Sequence, residues 1–501
     1  MPVFTDAVST SVKVLSGLLA IACITLCWLF YPPIYPRNIP TIPFWVTLLP
    51  FFYDVDQEET FKRYIRKPLL KHGAVKFFFG GQWNILVQRS TYLAEIFKNE
   101  EVYQKSGNDK KLPHSVIAEY LGDNIISSRG NDYRTYRTVI KPGLQENFDP
   151  EPIIQNAQKL YSLLRQLRTD GKSAEPNIQD VLQRYSITNI LTCLLNSDLS
   201  LLDDNNADLN KLQRQVKKEI FKPIFLSFPF LDRLGWLFPS RQRSRETIHA
   251  FAQELQRVVC AGHEEDSYWM ASEKLGSRLF AARESGIMTH KQFRDNLNVV
   301  FVAGQENPQL AMLSALYLLG KYPDVQAKLR YEVDMCLDGD LSPVVLGKLP
   351  FLSSVIYESL RLFPPISQLV NRRVDRPVNL GDKIYIPRDT YVGYNSYATN
   401  RDPSVWGLTA DEFMPERWGT NNEDILKRFR RAKARAEFIS FHGGSRACLG
   451  ERFALLEMRI TLFILVKNCT WTLDPHWPDR MTPAGPLYPR ELRLVFDHRQ
   501  G

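Results

Sequence analysis

A single cysteine near the C-terminal end lies in a glycine-rich turn directly before an apolar run. The segment 441–450, which we call the cysteine loop, reads FHGGSRACLG and contains one thiol, Cys448. Glycines let a backbone adopt unusual conformations and approach a flat ligand closely. A helix that begins just after Cys448 would offer free N–H groups and a positive dipole end, both of which lower the pKa of a thiol. The spacing therefore predicts a thiolate that binds a soft metal ion, with Arg446 placed to meet a ligand carboxylate.

The order F-x-x-G-x-R-x-C-x-G in this loop resembles the haem-binding loop of the cytochrome P-450 superfamily. All five fixed positions are met, by Phe441, Gly444, Arg446, Cys448 and Gly450. The resemblance implies a mainly α-helical cytochrome P-450 fold with small β-sheets. It also implies haem b at these residues, with the iron ligated by the Cys448 thiolate, a ligand that favours cleavage of the O–O bond. A buried structural cysteine beside a turn is the alternative interpretation.

A second segment, AGQENP at positions 303–308, lies in the middle of a long predicted helix. Pro308 has no N–H and cannot donate to the carbonyl of Gly304, so we expect the helix to open at that point. A small residue beside an opened helix would leave room for a diatomic ligand above a flat cofactor. A proline kink that affects only packing is the alternative interpretation.

The same segment resembles the oxygen-binding groove of the superfamily, whose usual pattern is A-G-x-[DE]-T-[TS]. The resemblance implies that Gly304, Glu306 and Asn307 are the catalytic residues on the oxygen side of the haem. The superfamily has a threonine at the place of Asn307, where it helps to deliver protons, and an amide is a poor proton relay. Either Glu306 and water supply the protons, or the reaction depends less on this relay.

Glu358 and Arg361 lie three residues apart, so they share one face of a predicted helix and can pair. Their neighbours are apolar, and a buried ion pair is costly unless a further partner completes it. Arg417, in the segment PERW, offers that partner. The patterns E-x-x-R and P-E-R-[FW] resemble the Glu-Arg-Arg triad of the superfamily, which implies a structural role for all three residues. A solvated surface pair is the alternative interpretation.

A weaker match lies at Tyr133 and Arg137, where the superfamily often has W-x-x-x-R. In the superfamily both side chains reach a haem propionate, which implies that Tyr133 and Arg137 bind the cofactor here, with a tyrosine in place of the tryptophan. Arg372 or Arg373 is a further candidate for a propionate contact.

Six basic residues lie within nine positions just before the cysteine loop. They are Lys427, Arg428, Arg430, Arg431, Lys433 and Arg435. A solvated loop is one interpretation. The other is a positive face that steers an acidic electron donor. The resemblance implies that an NADPH-cytochrome P-450 reductase docks there and passes electrons from NADPH to the haem.

Composition indicates a globular chain. The 501 residues are 44% hydrophobic and 24% charged, so a sizeable core can form. The net charge of +8 is modest at this length and does not favour a nucleic-acid partner. The seven cysteines are scattered, unlike a disulfide framework, which indicates a reducing compartment for the globular part.

The N-terminal region predicts a membrane anchor. Residues 14–31 carry no charge and suffice to cross a bilayer. A cleaved signal peptide is the alternative, but its basic start and its cleavage site are poorly matched. Prolines then predict a stiff spacer. We expect an anchor at 1–31, a proline-rich hinge at 32–44 and a catalytic domain at 45–501, on the cytosolic side of the endoplasmic reticulum membrane.

The remaining patterns predict long helices from about 150 to 365 and a few short strands. Strand-like runs lie at 74–79 and 84–87, and 378–386 reads as a hairpin, with a further small hairpin near the C-terminal end. The segment 220–239 is rich in phenylalanine, leucine and proline. It is predicted either as a lid that contacts the bilayer or as ordinary core.

These features predict a haem-thiolate monooxygenase or oxidase that uses O2 on a small organic substrate. The segments PRNIPTIP at 36–43 and AGQENPQ at 303–309 resemble fungal dityrosine-synthase-like members, which couple or oxidise tyrosine-derived precursors. Phenol coupling needs no oxygen insertion and would tolerate a rearranged proton relay. The alternatives are a hydroxylase or desaturase of fungal secondary metabolism and, in another class, a haem-binding sensor without turnover.

Overall fold

The structure is a computed structural model. The residues that it describes are 16–17, 19–21, 23–24, 30–166, 178–197, 199–204, 207–220, 222–264, 274–336 and 341–498. Within these ranges, no helix combines the length and the apolar character needed to cross a membrane. The predicted anchor, residues 1–31, lies mostly outside them.

Long and short helices together make up most of the described chain, which confirms the predicted mainly helical fold. The helices of nine or more residues are α1 (Ser90–Lys98), α2 (Gly130–Gln145), α3 (Glu151–Gln166), α4 (Ile178–Cys193), α5 (Asp208–Ile220), α6 (Pro239–Glu264), α7 (Leu275–Glu284), α8 (His290–Lys321), α9 (Pro323–Asp334), α10 (Pro350–Leu362), α11 (Asn422–Ala434) and α12 (Glu451–Asn468). Shorter helices lie at Leu49–Phe52, Gln57–Thr60, Arg66–His72, Asn108–Lys111, Val116–Leu121, Pro223–Ser227, Pro343–Leu346, Ser396–Thr399 and Pro403–Trp406.

Small sheets complete the fold. The strands are β1 (Ala74–Phe79), β2 (Gln82–Val87), β3 (Tyr103–Lys105), β4 (Gln368–Val374), β5 (Val378–Leu380), β6 (Ile384–Ile386), β7 (Tyr391–Asn395), β8 (Cys469–Leu473) and β9 (Leu494–His498). Five strands form one sheet in the order β1-β2-β7-β4-β3, with β2 and β7 parallel and the other neighbours antiparallel. The predicted hairpin at 378–386 is the pair β5–β6, and its turn residues Gly381 and Asp382 both have positive φ. Strands β8 and β9 pair near the C-terminal end across a long connection.

The longest helix, α8, is buried along most of its length. Thr289 caps its start: the hydroxyl accepts a hydrogen bond from the N–H of Gln292, whose side chain accepts from the N–H of Thr289. Pro308 lies inside the helix, yet the helix continues without a break from His290 to Lys321. Pro308 therefore does not interrupt the helix, although it cannot donate to the carbonyl of Gly304. Packing of the buried residues on both sides of the proline holds the helix together, because tertiary contacts supply most helical stability.

The proline-rich segment 32–44 packs in part against β1. The N–H of Ile42 donates to the carbonyl of Lys76 at 2.9 Å, and the N–H of Lys76 donates to the carbonyl of Pro40 at 2.8 Å. Ile39 and Ile42 are buried. The second half of this segment therefore belongs to the folded body, although the prolines predicted a spacer.

A buried carboxylate on α10 accepts five hydrogen bonds. Two nitrogen atoms of Arg361 donate to Glu358 at 2.8 Å each, and Nε of Arg417 donates at 2.8 Å. The indole N–H of Trp418 at 3.0 Å and the backbone N–H of Met414 at 3.1 Å complete the set. Glu358 and Arg361 are fully buried. A buried ion pair is tolerated only when its remaining donors and acceptors are satisfied, as they are here.

The same ion pair connects α10 to the cysteine loop. Arg361 donates to the backbone carbonyls of Asn400 at 2.9 Å and Ala410 at 2.6 Å. The side chain of Asn400 donates to Ser440 Oγ at 2.8 Å and accepts from the N–H of Ile439 at 3.0 Å. Because residues 439–440 lead directly into the loop, the buried ion pair fixes the chain from which Cys448 is presented.

Replacing Glu358 by alanine tests this connection. The change leaves Arg361 and Arg417 buried without their carboxylate, so we expect the free energy of unfolding to fall by about 3–5 kcal/mol. Denaturant unfolding and the haem content of the purified protein measure the effect. Glu416→Ala is the control, because Glu416 forms an exposed pair with Lys328 beside the buried set. Equal stability of the two variants would contradict the structural role of Glu358.

A second buried carboxyl group lies between α12 and α4. Glu457 Oε1 accepts from Asn189 Nδ2 at 2.8 Å and from Ser186 Oγ at 3.4 Å, while Oε2 is buried without a hydrogen-bond partner. Burial raises the pKa of Glu457 to about 8, and the two donors oppose that rise. The carboxyl group is therefore protonated in the folded protein at neutral pH.

This raised pKa predicts a pH-dependent stability. The folded state holds the proton more tightly than the unfolded state, so the stabilisation is complete below the ordinary pKa of about 4.5 and is lost as the pH rises to about 8. Glu457→Gln cannot ionise, so its free energy of unfolding relative to the parent should rise by about 1 kcal/mol per pH unit across that window. Unfolding at a series of pH values measures it, with the exposed Glu284→Gln as control. Parallel pH curves for Glu457→Gln and its parent would contradict the prediction.

Candidate active site

The glycines of the cysteine loop are required by the close approach of α1. A Cβ atom at Gly443 would overlap the ring of Phe97, and one at Gly444 would overlap the Phe97 carbonyl oxygen. Gly444 also has a φ of +67°, which L side chains rarely adopt. Gly450 differs, because a Cβ there would meet no protein atom within 4 Å. The first two glycines therefore serve the packing of the loop, and Gly450 leaves space beside the thiol.

Cys448 lies directly before α12, with its accessible surface facing the cavity and protein packed around the rest of the residue. Its backbone N–H donates to the carbonyl of Phe441 at 2.9 Å, which closes the loop. Burial in the surrounding protein raises the pKa of the Cys448 thiol to about 11, although hydrogen bonds from the backbone of Gly450 and Glu451 lower it. The sequence predicted a lowered pKa from these same N–H groups, and desolvation outweighs them. A metal ion that binds the sulfur would have to displace its proton.

The cavity that contains Cys448 has a volume of about 680 Å³ and a mainly apolar lining. The cysteine loop contributes Phe441 and Cys448, and the middle of α8 contributes Ala303, Gly304 and Asn307. The two segments that the sequence singled out therefore line the same cavity. A pocket of this size and character fits a small, largely apolar organic molecule.

The residues of α8 take up contacts that the sequence did not predict. A Cβ atom at Gly304 would overlap Ile190 Cδ1 on α4, so this glycine makes room for a neighbouring helix as well as bordering the cavity. The Asn307 amide donates to the carbonyl of Ala303 in its own helix at 3.2 Å. The side-chain amide of Asn307 is therefore bonded to the backbone of its own helix, one turn earlier in the chain.

Glu306 belongs to a polar group that reaches from the cavity into the core. Its Oε1 lies 3.9 Å from Nζ of Lys217 on α5. Lys217 also donates to Gln309 Oε1 and to Gln183 Oε1, both at 3.2 Å. Burial lowers the pKa of Lys217, and the negative charge of Glu306 opposes this. Glu306 is thus an acidic side chain of this wall with a basic group beside it.

Lys105 and Arg446 line one side of the cavity, and the side chain of Arg372 lies close to both. Lys105 and Arg372 are buried, and burial together with the charges of Arg372 and Arg446 lowers the pKa of Lys105. Burial also lowers the pKa of Arg446 to about 10. Arg372 Nε is buried without a hydrogen-bond partner. Clustered positive charge with an unsatisfied donor fits the carboxylates of a haem, which accept charge-assisted hydrogen bonds from such groups.

Tyr133 and Arg137 join this cluster. Arg137 donates to Tyr133 Oη at 2.8 Å and to the carbonyl of Ser445 at 3.4 Å. The Arg446 guanidinium lies over the Tyr133 ring, 3.6 Å from its centroid, and donates to the carbonyl of Ser128 at 3.0 Å. The structure therefore brings Tyr133, Arg137 and Arg446 together, and their contact with a propionate stays a prediction.

Comparison with known proteins agrees with this geometry. The sequence profile described as Cytochrome P450 matches residues 38–492. The chain is 44% identical over 468 residues to Cytochrome P450-DIT2 of Saccharomyces cerevisiae, which covers 93% of this chain and 94% of that protein. It is 39% identical over 473 residues to Cytochrome P450 monooxygenase xanG of Aspergillus fumigatus, with 93% and 88% covered. The chain belongs to the cytochrome P450 family.

As a cytochrome P450, the chain is an oxidoreductase of the monooxygenase type. The family binds haem iron through a cysteine thiolate, receives electrons from a redox partner and acts on small organic molecules. We propose Cys448 as the iron ligand, because its thiol lines the same cavity as the middle of α8. The residues present fit the cofactor: the cationic cluster around Arg372 would hold the propionates, and Gly450 leaves space beside the sulfur.

The basic segment before the cysteine loop forms part of α11 and is largely exposed. Lys427, Arg428, Arg430, Arg431 and Arg435 are exposed. Lys433 differs, because its ammonium pairs with Glu451 at the start of α12 and lies 5.1 Å from the centroid of the Phe429 ring. Five of the six basic residues are therefore available to a partner, and Lys433 braces the segment against the helix that follows Cys448.

The sequence did not definitely predict three cationic residues that lie at or beside the cavity, namely Lys105, Lys111 and Arg372. Arg372 and Arg373 were both candidates, and the structure separates them: Arg372 is buried, while Arg373 is exposed and pairs with Asp389 at 2.8 Å. Strand alternation requires that one of the two point inward, but it does not say which. Lys105 and Lys111 carry no motif, so only the tertiary structure brings them to the cavity.

Cys448→Ala tests the proposed ligand. Without a thiolate, the reduced protein in carbon monoxide should lose the red-shifted absorbance band that is typical of thiolate-ligated haem. Cys336→Ala is the matched control, because Cys336 is partly exposed on another helix boundary and should leave the band unchanged. Retention of the band in Cys448→Ala would exclude Cys448 as the ligand.

Proposed function

We propose that this cytochrome P450 oxidises a small tyrosine-derived metabolite and couples two such molecules through their phenol rings. The observation that carries the proposal is Asn307, which replaces the threonine of the usual pattern and donates to Ala303 of its own helix. This wall of the cavity therefore lacks a hydroxyl at the position where the family pattern places one. Coupling needs no oxygen insertion and depends less on such a relay.

The proposed reaction balances without an inserted oxygen atom. Each of two phenols loses one hydrogen atom, and a bond forms between the two molecules. Dioxygen takes up these two hydrogen atoms together with two electrons and two protons from the electron donor, and it leaves as two water molecules. A thiolate-ligated haem supplies this oxygen-reducing chemistry when it is bound.

The side chains of the cavity have separate roles in this proposal. Glu306, with Lys217 3.9 Å away, is the group that holds and releases protons on the α8 side. Tyr120 and Gln213, which share a hydrogen bond of 3.3 Å and line the same cavity, offer polar contacts for a phenol. The apolar remainder of the lining excludes water from the reacting rings.

The Glu306–Lys217 pair also favours a second candidate, a hydroxylase or desaturase of fungal secondary metabolism. An acidic group with a basic neighbour can pass protons inward, as oxygen insertion requires. Turnover in isotopically heavy dioxygen, with reductase and NADPH, separates the candidates. Coupling predicts a dimer of the substrate that contains no heavy oxygen. Hydroxylation predicts a monomeric product with one heavy oxygen atom. Desaturation predicts an unlabelled monomeric product with two fewer hydrogen atoms. Slow NADPH use that does not depend on the reductase, with every ligand tried, would instead support the haem-binding sensor.

Asn307→Thr tests the role of the missing hydroxyl. Threonine restores the donor of the usual pattern, and a positioned proton donor contributes about a hundredfold or more to rate. We therefore expect the yield of oxygen-labelled product per NADPH to rise at least about tenfold. Asn468→Thr is the control, because Asn468 makes the same kind of bond to the carbonyl four residues earlier, on α12. An unchanged product ratio would remove Asn307 from the argument.

We also propose that the chain is held at a membrane by its N-terminal segment and touches the bilayer through the predicted lid. Within the predicted lid, residues 220–239, Trp236 is 80% exposed and Leu237 is 52% exposed. Phe52, near the N-terminal end, is 74% exposed. Apolar side chains exposed to this degree mark a surface that contacts a membrane or a protein. Phe221, which belongs to the same predicted lid, lies outside the described residues.

The electron donor is proposed to be an NADPH-dependent reductase. The exposed basic side chains of α11 lie on the same stretch as Lys433, which pairs with Glu451 beside Cys448. A negatively charged donor would therefore be guided towards the thiolate side of the site.

A further inference from the structure

One lysine on the wall of the cavity, Lys111, has no carboxylate partner among the residues that the structure describes. Lys111 ends the short helix Asn108–Lys111, and its side chain lines the cavity wall together with Phe79 and Gly80. The ammonium donates to Asn84 Oδ1 at 3.3 Å. It lies 5.1 Å from the centroid of the Tyr391 ring and 5.8 Å from that of Phe79. Its surroundings are therefore aromatic, with one long neutral hydrogen bond.

No carboxylate of the described part of the chain lies within 4 Å of this ammonium. Burial alone lowers the pKa of Lys111 to about 7, since no anion opposes the loss of hydration. Asp109 is close in sequence, but it does not line the cavity. A cation kept in an apolar wall without a partner costs free energy unless a ligand compensates it.

Other charged side chains of the cavity are already matched. Lys217 pairs with Glu306, Glu58 pairs with Lys62 at 2.7 Å, and Arg446 donates to backbone carbonyls. Lys105 belongs to the cationic cluster that fits the cofactor. Lys111 therefore differs from these residues in two ways. It has no anionic partner among the described residues, and it lies between the β1–β2 hairpin and the Asn108–Lys111 helix.

We propose that Lys111 binds a carboxylate of the substrate, so that the enzyme takes an aromatic carboxylic acid. A lysine ammonium binds such a group as a point charge, and the attraction is stronger where water is excluded. The ring of Phe79, which lines the same wall, would lie beside the aromatic portion of the same molecule. This inference rests on the proposed oxidation of a tyrosine-derived metabolite and narrows it to one that retains its carboxylate.

Spectral titration of the haem-loaded full chain tests the proposal. N-acetyltyrosine and N-acetyltyrosinamide differ only in the carboxylate, and binding near the haem shifts the absorbance of the iron. The parent protein should bind the acid at least about tenfold more tightly than the amide. Lys111→Met, which keeps the length of the side chain, should abolish this preference by weakening the acid about tenfold or more and leaving the amide within about twofold. Lys111→Arg should retain it.

Lys110→Met is the matched control, because Lys110 is the exposed neighbour and should leave both affinities unchanged. The carbon monoxide spectrum of each variant confirms an intact haem site. If Lys111→Met weakens the binding of the acid and the amide equally, or weakens neither, the proposal for Lys111 is overturned.

A second pair of probes separates this proposal from the proposed function. If neither tyrosine derivative binds the parent, the tyrosine-derived substrate is wrong, and indoleacetate and indoleacetamide take their place. If the parent prefers indoleacetate to indoleacetamide and Lys111→Met removes this preference, the result supports the carboxylate site without the tyrosine-derived substrate. Absence of any acid preference in both pairs would overturn it.

Discussion

The carboxylate of Glu358 is the constraint on which the active site depends. It accepts five hydrogen bonds inside the core, two of them from Arg361, and Arg361 then holds the carbonyl of Asn400. Asn400 in turn fixes Ile439 and Ser440 at the entrance to the cysteine loop. A buried charge is tolerated only when every donor and acceptor is matched, so this network permits one arrangement of the loop. Neighbouring α1 then excludes side chains at Gly443 and Gly444.

The two sides of the cavity differ in how strictly the chain determines them. On the thiol side, the loop, its cationic cluster and the Glu358 network leave little freedom around Cys448. On the α8 side, Asn307 donates to its own helix and Glu306 pairs with Lys217, which lies on another helix. In the function that we propose, the first side sets the cofactor chemistry, and the second determines the fate of the activated oxygen. The proposed carboxylate site at Lys111, on the wall formed by the β1–β2 hairpin, would add a constraint on the substrate itself.

Local patterns predicted the parts of the molecule that local chemistry determines. The cysteine loop and the hairpin at 378–386 follow from residue types at fixed spacing. Features that depend on distant contacts did not follow. Phe97 explains the glycines of the loop, and Ile190 meets Gly304, although both are remote in sequence. The backbone N–H groups before α12 lower the pKa of Cys448 as predicted, but burial, which is not visible in a sequence, raises it by more.

The most direct test of this account is an experimental structure of the full chain with haem bound. The account predicts iron bonded to the Cys448 sulfur, propionates against Arg372 Nε and Arg446, and the opposite haem face directed at Ala303 and Asn307 of α8. A haem with its propionates away from the cationic cluster, or iron bonded to another side chain, would contradict it.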